Sequence, residues 1–149
     1  MMENLKRKPT TDFSWEAQWQ QLYILSENWY SDLHFYKDDL RFLYALIEKY
    51  FMKLNHNGNL DEMREIAKEL SQENKACEEL LDKTALHLKH LAGLIDAPYK
   101  YDSHQCRNEH EKLEIEIASF VKKFRKNKKA IFSITEKVMK KEIQKRLTQ

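Results

Sequence analysis

The stretch LHFYKDDLRFLYALIEKYFMKLNHNGNLDEMREIAKEL, residues 33–70, decides the fold. Its first part sets Leu33, Tyr36, Leu40, Leu43, Ile47, Tyr50 and Leu54 at alternating spacings of three and four, which puts them on one face of a helix. Asn55-His56-Asn57-Gly58-Asn59 then supplies a tight turn. Gly58 or an asparagine suits the left-handed position that ends a helix. Asn59 with Glu62 three residues later resembles a capping box, and the alternation resumes at Leu60 and Met63. The stretch reads as helix, turn and helix.

The same spacing extends both ways. Backwards it takes in Trp29, Ser26, Leu22, Trp19 and Trp15; forwards it runs through Ala67, Leu70, Asn74, Cys77, Leu81, Thr84, Leu88, Leu91 and Ile95. Asp96-Ala97-Pro98 stops the second helix, because a residue before proline avoids the helical region. Asp102 or Ser103 can cap a third, whose seam is Cys106, His110, Leu113, Ile117, Phe120, Phe124, Asn127, Ile131, Ile134 and Val138. Of these 33 seam positions 28 are apolar, where a chain 42% hydrophobic would give about 14 by chance. After Val138 the pattern slips to Met139, Ile143 and Leu147, so the last turns drift off the seam or fray.

The expected fold is all-α: an elongated, antiparallel, up-down-up three-helix heptad bundle. Its helices fall at about 14–54, 60–96 and 103–146, in one domain at 14–147 behind a flexible N-terminal segment, 1–13. The first helix is read as continuous through Ser26, its one polar seam residue, with a break there as the alternative. It is apolar well beyond its seam, at Tyr23, Leu25, Tyr30, Tyr44, Leu46 and Phe51, as a bundle of three or more helices requires.

Composition agrees and excludes much. The 149 residues hold two glycines and two prolines, against about eighteen in an average chain of that length. A dinucleotide fingerprint or a P-loop needs closely spaced glycines, and Gly58 and Gly93 lie 35 apart. The basic N-terminus has no apolar segment behind it to make a signal peptide. The longest apolar run, Phe42–Ile47, is too short to span a bilayer. Two cysteines, Cys77 and Cys106, do not suggest a disulfide framework, so the expected setting is reducing and cytoplasmic.

Candidate functional residues form four groups. Folding the second helix back on the third about residue 99 sets His87 and His90 level with Cys106 and His110. Facing pairs at i,i+3 and i,i+4 could hold a tetrahedral zinc ion. The Glu-x-x-His of diiron bundles and the His-Glu-x-x-His of zinc proteases are absent. No nucleophile can be set beside a base, no cofactor motif is present, and the chain is not expected to be an enzyme. Phe35 and Phe42, seven apart and round from the seam, make an aromatic stripe suited to self-association or to another helical protein. A homodimer along the first helix is the simplest form.

Trp15 and Trp19 fall beside Tyr99 and Tyr101, as an end core or, alternatively, a partner surface. Finally, residues 117–149 carry eleven basic and two acidic side chains, and Lys122, Lys123, Arg125, Lys126, Lys128 and Lys129 could bind phosphates. The expected partners of this run are instead Glu69, Glu73, Glu78 and Glu79 of the second helix, with Lys137, Lys140 and Lys141 near Asp61 and Glu62. Nucleic acid is the less favoured partner, since Phe124 belongs to the seam and cannot stack on bases. Asn74 and Asn127 are expected to face each other or share water, and so to fix register. The leading functional expectation is a non-catalytic interaction or scaffolding module. The alternative is a metal- or small-ligand-binding bundle, and the third is a nucleic-acid or anionic-surface binder.

Overall fold

The computed structural model describes residues 12–56, 60–98 and 102–148, with side chains at 18–50, 60–98 and 102–148. It is an all-α bundle of three helices packed on one another: α1 Asp12–His56, α2 Leu60–Asp96 and α3 Ser103–Thr148. Of the N-terminal segment 1–13, residues 1–11 lie outside the described residues, while 12 and 13 already belong to α1. The turn at 57–59 and the residues 99–101 also lie outside them. α2 and α3 run in opposite directions, because Lys83 of α2 meets Glu116 of α3 while His90 meets Glu109.

Local chemistry sets the helix ends. The Asp102 carboxylate accepts the Gln105 amide at 3.1 Å, so Asp102 caps α3. At the far end of α2 the Ala97 amide donates to the Gly93 carbonyl at 2.8 Å before Pro98 stops the helix. α1 passes through Ser26 unbroken. The Ser26 side chain is fully buried, and its Oγ donates back to the Leu22 carbonyl at 2.8 Å. That carbonyl keeps its helical amide partner without the hydroxyl, and alanine has the higher helix propensity. Ser26→Ala is therefore expected to change stability by less than about 1 kcal/mol in urea unfolding; a larger loss would show that the hydroxyl does more than satisfy itself.

The chain divides into two compact units, one formed by residues up to Leu33 with Leu80–Glu116, the other by His34–Glu79 with residues from Ile117 onward. In the first, Trp19, Leu91, Leu94 and Cys106 form a buried cluster against which Leu22, Tyr23 and Ile95 pack. In the second, Leu40, Leu43 and Ile47 of α1 join Met63, Ile66 and Leu70 of α2 and Phe120, Phe124 and Ile131 of α3 in the interior. There Tyr36 lies edge-on to Phe120 at 5.9 Å and tilted to Phe124 at 4.9 Å, arrangements that aromatic quadrupoles favour.

The α3 seam is buried at all ten expected positions. In α2 half of the expected seam is displaced by one residue. Met63, Leu70, Cys77, Thr84 and Leu91 are buried as read, but Ile66, Glu73, Leu80, His87 and Leu94 fill the alternate row. Of the expected alternates Ala67, Asn74, Leu81, Leu88 and Ile95, only Leu81 is buried. A helix with two neighbours buries rows on both flanks of its seam, and this one turns Glu73 and His87 inward.

That rotation moves Asn74 off the buried row. It is half-buried, and Glu73 takes the interior place. Glu73 Oε1 and Asn127 Nδ2 are buried without a hydrogen-bond partner among the described residues. Beyond Val138, α3 continues as helix to Thr148, with Met139, Ile143 and Leu147 exposed.

Candidate metal centre

The first unit gathers the ionisable residues that α2 and α3 turn inward. Buried hydroxyls satisfy themselves within their own helix, as when Thr84 Oγ1 donates to the Leu80 carbonyl at 2.6 Å. A buried imidazole has no such local solution and needs a partner from another helix. His87, fully buried, finds two. Its Nδ1 lies 2.6 Å from Glu109 Oε1, and its Nε2 lies 2.8 Å from Nδ1 of buried His110. His90, one turn further along α2, brings its Nδ1 to 2.9 Å from the same Glu109 oxygen. α1 completes the wall, with Trp29 stacked on His110 at a centroid distance of 4.6 Å.

Electrostatics fix the protonation pattern. Burial pushes the Glu109 carboxyl up, but hydrogen bonds from His90 and His87 outweigh it and leave the group below the usual carboxylate range. Burial lowers His87 in spite of Glu109. Burial, with His87 and Arg107 nearby, lowers His110 to about 4. At neutral pH the centre thus combines an ionised Glu109 with neutral imidazoles at His87 and His110. Nδ1–H of His87 donates to Glu109, which leaves Nε2 to accept Nδ1–H of His110. Burial against the apolar cluster, with Glu109 adding and Arg107 opposing, pushes the Cys106 thiol up to about 11.

Ligand atoms of His87, Cys106 and Glu109 lie within 4.8 Å of one another. A cavity of about 130 Å³ lined by His90, Asp102, Gln105, Cys106 and Glu109 adjoins them. Of the sequence candidates, His87, His90, Cys106 and His110 therefore come together in the structure. Glu109 was missed. Folding α2 on α3 about residue 99 places 109 level with residue 89, between the two histidines, so a signal existed. It was masked by the many acidic residues of that segment.

The other candidates fall elsewhere. Trp19 is 1% exposed and is part of the core, which removes it as a partner-surface residue. The Arg107 guanidinium lies over its ring at 4.8 Å and donates to Gln18 Oε1 at 2.8 Å. Arg107→Ala should lower unfolding stability by about 0.5–1 kcal/mol, and an unchanged urea midpoint would make that contact inert. Tyr99, Tyr101 and the side chain of Trp15 lie outside the described residues. Phe35 and Phe42 are 67% and 57% exposed.

In the basic run, Lys122, Lys123, Arg125, Lys126 and Lys129 are exposed and Phe124 is buried. Lys128 is half-buried and bonds Asp39 of α1 at 3.1 Å, while Glu78 of α2 pairs with Lys37 of α1 at 3.5 Å. Among the described residues the salt bridge made by this run thus goes to α1, while the charge of Lys123 acts on Glu73 of α2, one of the expected partners. Phe132, left out of the sequence reading, is 43% exposed and lies beside these cations, with Lys128 Nζ 5.9 Å from its ring centre.

No protein-family model matches this chain, and neither does any curated protein or solved structure. No helix among the described residues is long and apolar enough to cross a membrane.

Proposed function

We propose that this chain is a metal-binding helical bundle that takes a zinc-class divalent cation at His87, Cys106 and Glu109. The observation that carries this reading is the convergence of a nitrogen, a sulfur and a carboxylate donor from two helices within 4.8 Å. Ligands of tetrahedral zinc sit about 2.0–2.3 Å from the ion, hence about 3.3–3.8 Å apart. A cation held by His87 Nδ1 and Glu109 would replace the proton they share, opening their 2.6 Å contact by less than about 1 Å. His87 Nε2–H would then donate to His110, the kind of outer hydrogen bond that orients metal-bound histidines. Cys106 gives up its proton on binding, and the fourth position falls to His90 or to solvent from the cavity.

The reading is non-catalytic. Cys106 is buried and protonated, which suits a ligand better than a nucleophile. Free thiols at Cys77 and Cys106 suit a reducing, cytoplasmic setting. Titration of the purified protein with zinc against a chromophoric chelator tests the proposal. One equivalent bound, with a raised melting temperature, is the expected result; no stoichiometric binding removes it.

A second reading, a helical interaction module, is favoured by the exposure of Phe35 and Phe42 on one side of α1. Self-association through that side predicts a dimer by light scattering that Phe35→Ser dissociates. A monomeric wild type would remove the homodimer.

A further inference from the structure

In the second unit, α1 and α3 leave an open groove of about 510 Å³ between them. Phe42, Leu46 and Tyr50 line it from α1, and Phe132, Met139 and Ile143 from α3. Phe42, Phe132, Met139 and Ile143 are all among the exposed large apolar residues of the chain. The α1 residues follow at i, i+4 and i+8, and the α3 residues at i, i+7 and i+11. Both rows therefore run along their helices, for about 12 and 17 Å at 1.5 Å per residue. Two parallel apolar rows about three turns long are the walls of a seat for one more helix, which would anchor through its own i, i+3, i+4 and i+7 side chains.

Charge selects the occupant. Lys140 stands in the groove wall, with Glu136 the one acidic residue there among the described residues. At Phe132 the groove meets a second open recess lined by Arg125, Lys126, Lys128 and Lys129. Lys128 is engaged by Asp39, whereas Arg125, Lys126 and Lys129 are exposed. We infer that this groove docks an amphipathic helix of another protein whose solvent-facing side is acidic. The inference extends the interaction-module reading by naming the partner's chemistry.

Other occupants fit less well. A second copy seated here by two-fold symmetry would set these cations against themselves. A flat bilayer surface would press on the protruding residues and leave half-buried Leu46 and Tyr50 in the groove untouched. A single strand could stack bases on Phe42, Tyr50 and Phe132, but it would leave the aliphatic part of the groove at Leu46, Met139 and Ile143 uncovered.

The test uses the full chain and a fluorescent helical peptide of about four turns, with leucines at alternating three- and four-residue spacing and glutamates elsewhere. A counterpart carries lysines for the glutamates, and fluorescence anisotropy reads binding. The glutamate peptide is expected to bind at least about tenfold more tightly than the lysine peptide, with an advantage that shrinks at high salt. Phe132→Asp and Ile143→Asp, at exposed positions, should each weaken it at least about tenfold. Equal binding of the two peptides, no binding, or unaltered binding by these variants overturns the inference. So does tighter binding to phosphatidylserine vesicles or to a single-stranded oligonucleotide. If the peptide fails while the wild type forms a dimer that Phe35→Ser dissociates, the groove assignment falls and the interaction-module reading stands.

Discussion

Replacing His87 by alanine is expected to lower zinc affinity by at least about 100-fold. This side chain bonds Glu109 on one side and His110 on the other, and its loss removes a ligand together with the contact that orients the rest. Glu109→Gln keeps the shape and removes the charge that faces His87 and His90, and should cost about 10–100-fold. Cobalt gives an independent readout. With Cys106 as a ligand, the cobalt-loaded protein should show thiolate-to-metal charge-transfer absorption that Cys106→Ser abolishes. Wild-type zinc affinity in His87→Ala would mean that the cluster is only a buried polar network holding α2 against α3. In that case the same variant would still lose stability, because Glu109 and His110 would each lose a partner.

The second large effect lies in the other unit and runs toward greater stability. Glu73 is 3% exposed and Asn127 7%, and each carries a buried polar atom without a partner among the described residues. A buried unpaired donor or acceptor costs about 1–3 kcal/mol, and apolar replacements of buried polar groups have raised stability by about 1–4 kcal/mol in other proteins. The double variant Glu73→Leu, Asn127→Leu should therefore unfold about 1–4 kcal/mol less readily in urea, if its register is kept.

Glu73 also sets a pH dependence. Burial raises its pKa, with Lys123 opposing and Glu69 adding to the rise. Between the ordinary carboxyl value of 4.5 and the raised folded value, the native state holds a proton that the unfolded chain has lost. Stability from this group is thus full below 4.5 and falls as pH rises through the window. Glu73→Gln should flatten that slope and gain most at neutral pH. If either variant is less stable than wild type at pH 7, Glu73 has a partner that the interior conceals.

The contrast between the two units shows why buried polar residues are hard to read in a chain. Both His87 and Glu73 belong to the row of α2 that periodicity passed over. The two competing rows, 66-73-80-87-94 and 67-74-81-88-95, are almost equally apolar, and an apolar criterion prefers Leu88 to His87. The winning row contains a histidine that is stable inside only because Glu109 and His110 arrive from 22 and 23 residues away. Nothing local announces that. The acidic residues of α2 and α3 look alike in sequence, and only the helix that faces each of them separates Glu109 from a solvated neighbour such as Glu111.

The sequence by itself determined three helices, the breaks between them and the whole α3 seam. Spacing of apolar residues and the placement of Gly58 and Pro98 act within a few residues, and helix formation is local. It also determined that His87, His90, Cys106 and His110 lie at one level, since antiparallel neighbours leave little freedom in height. Which flank of α2 turns inward was decided only by tertiary structure. So were the choice of Glu109 as the shared partner of two histidines, and the pairing of Lys128 with α1. Those outcomes depend on rotation of a helix about its own axis, and a shift of one residue turns a side chain by about 100°. That rotation is fixed by the combined packing of all three helices, which no single segment encodes.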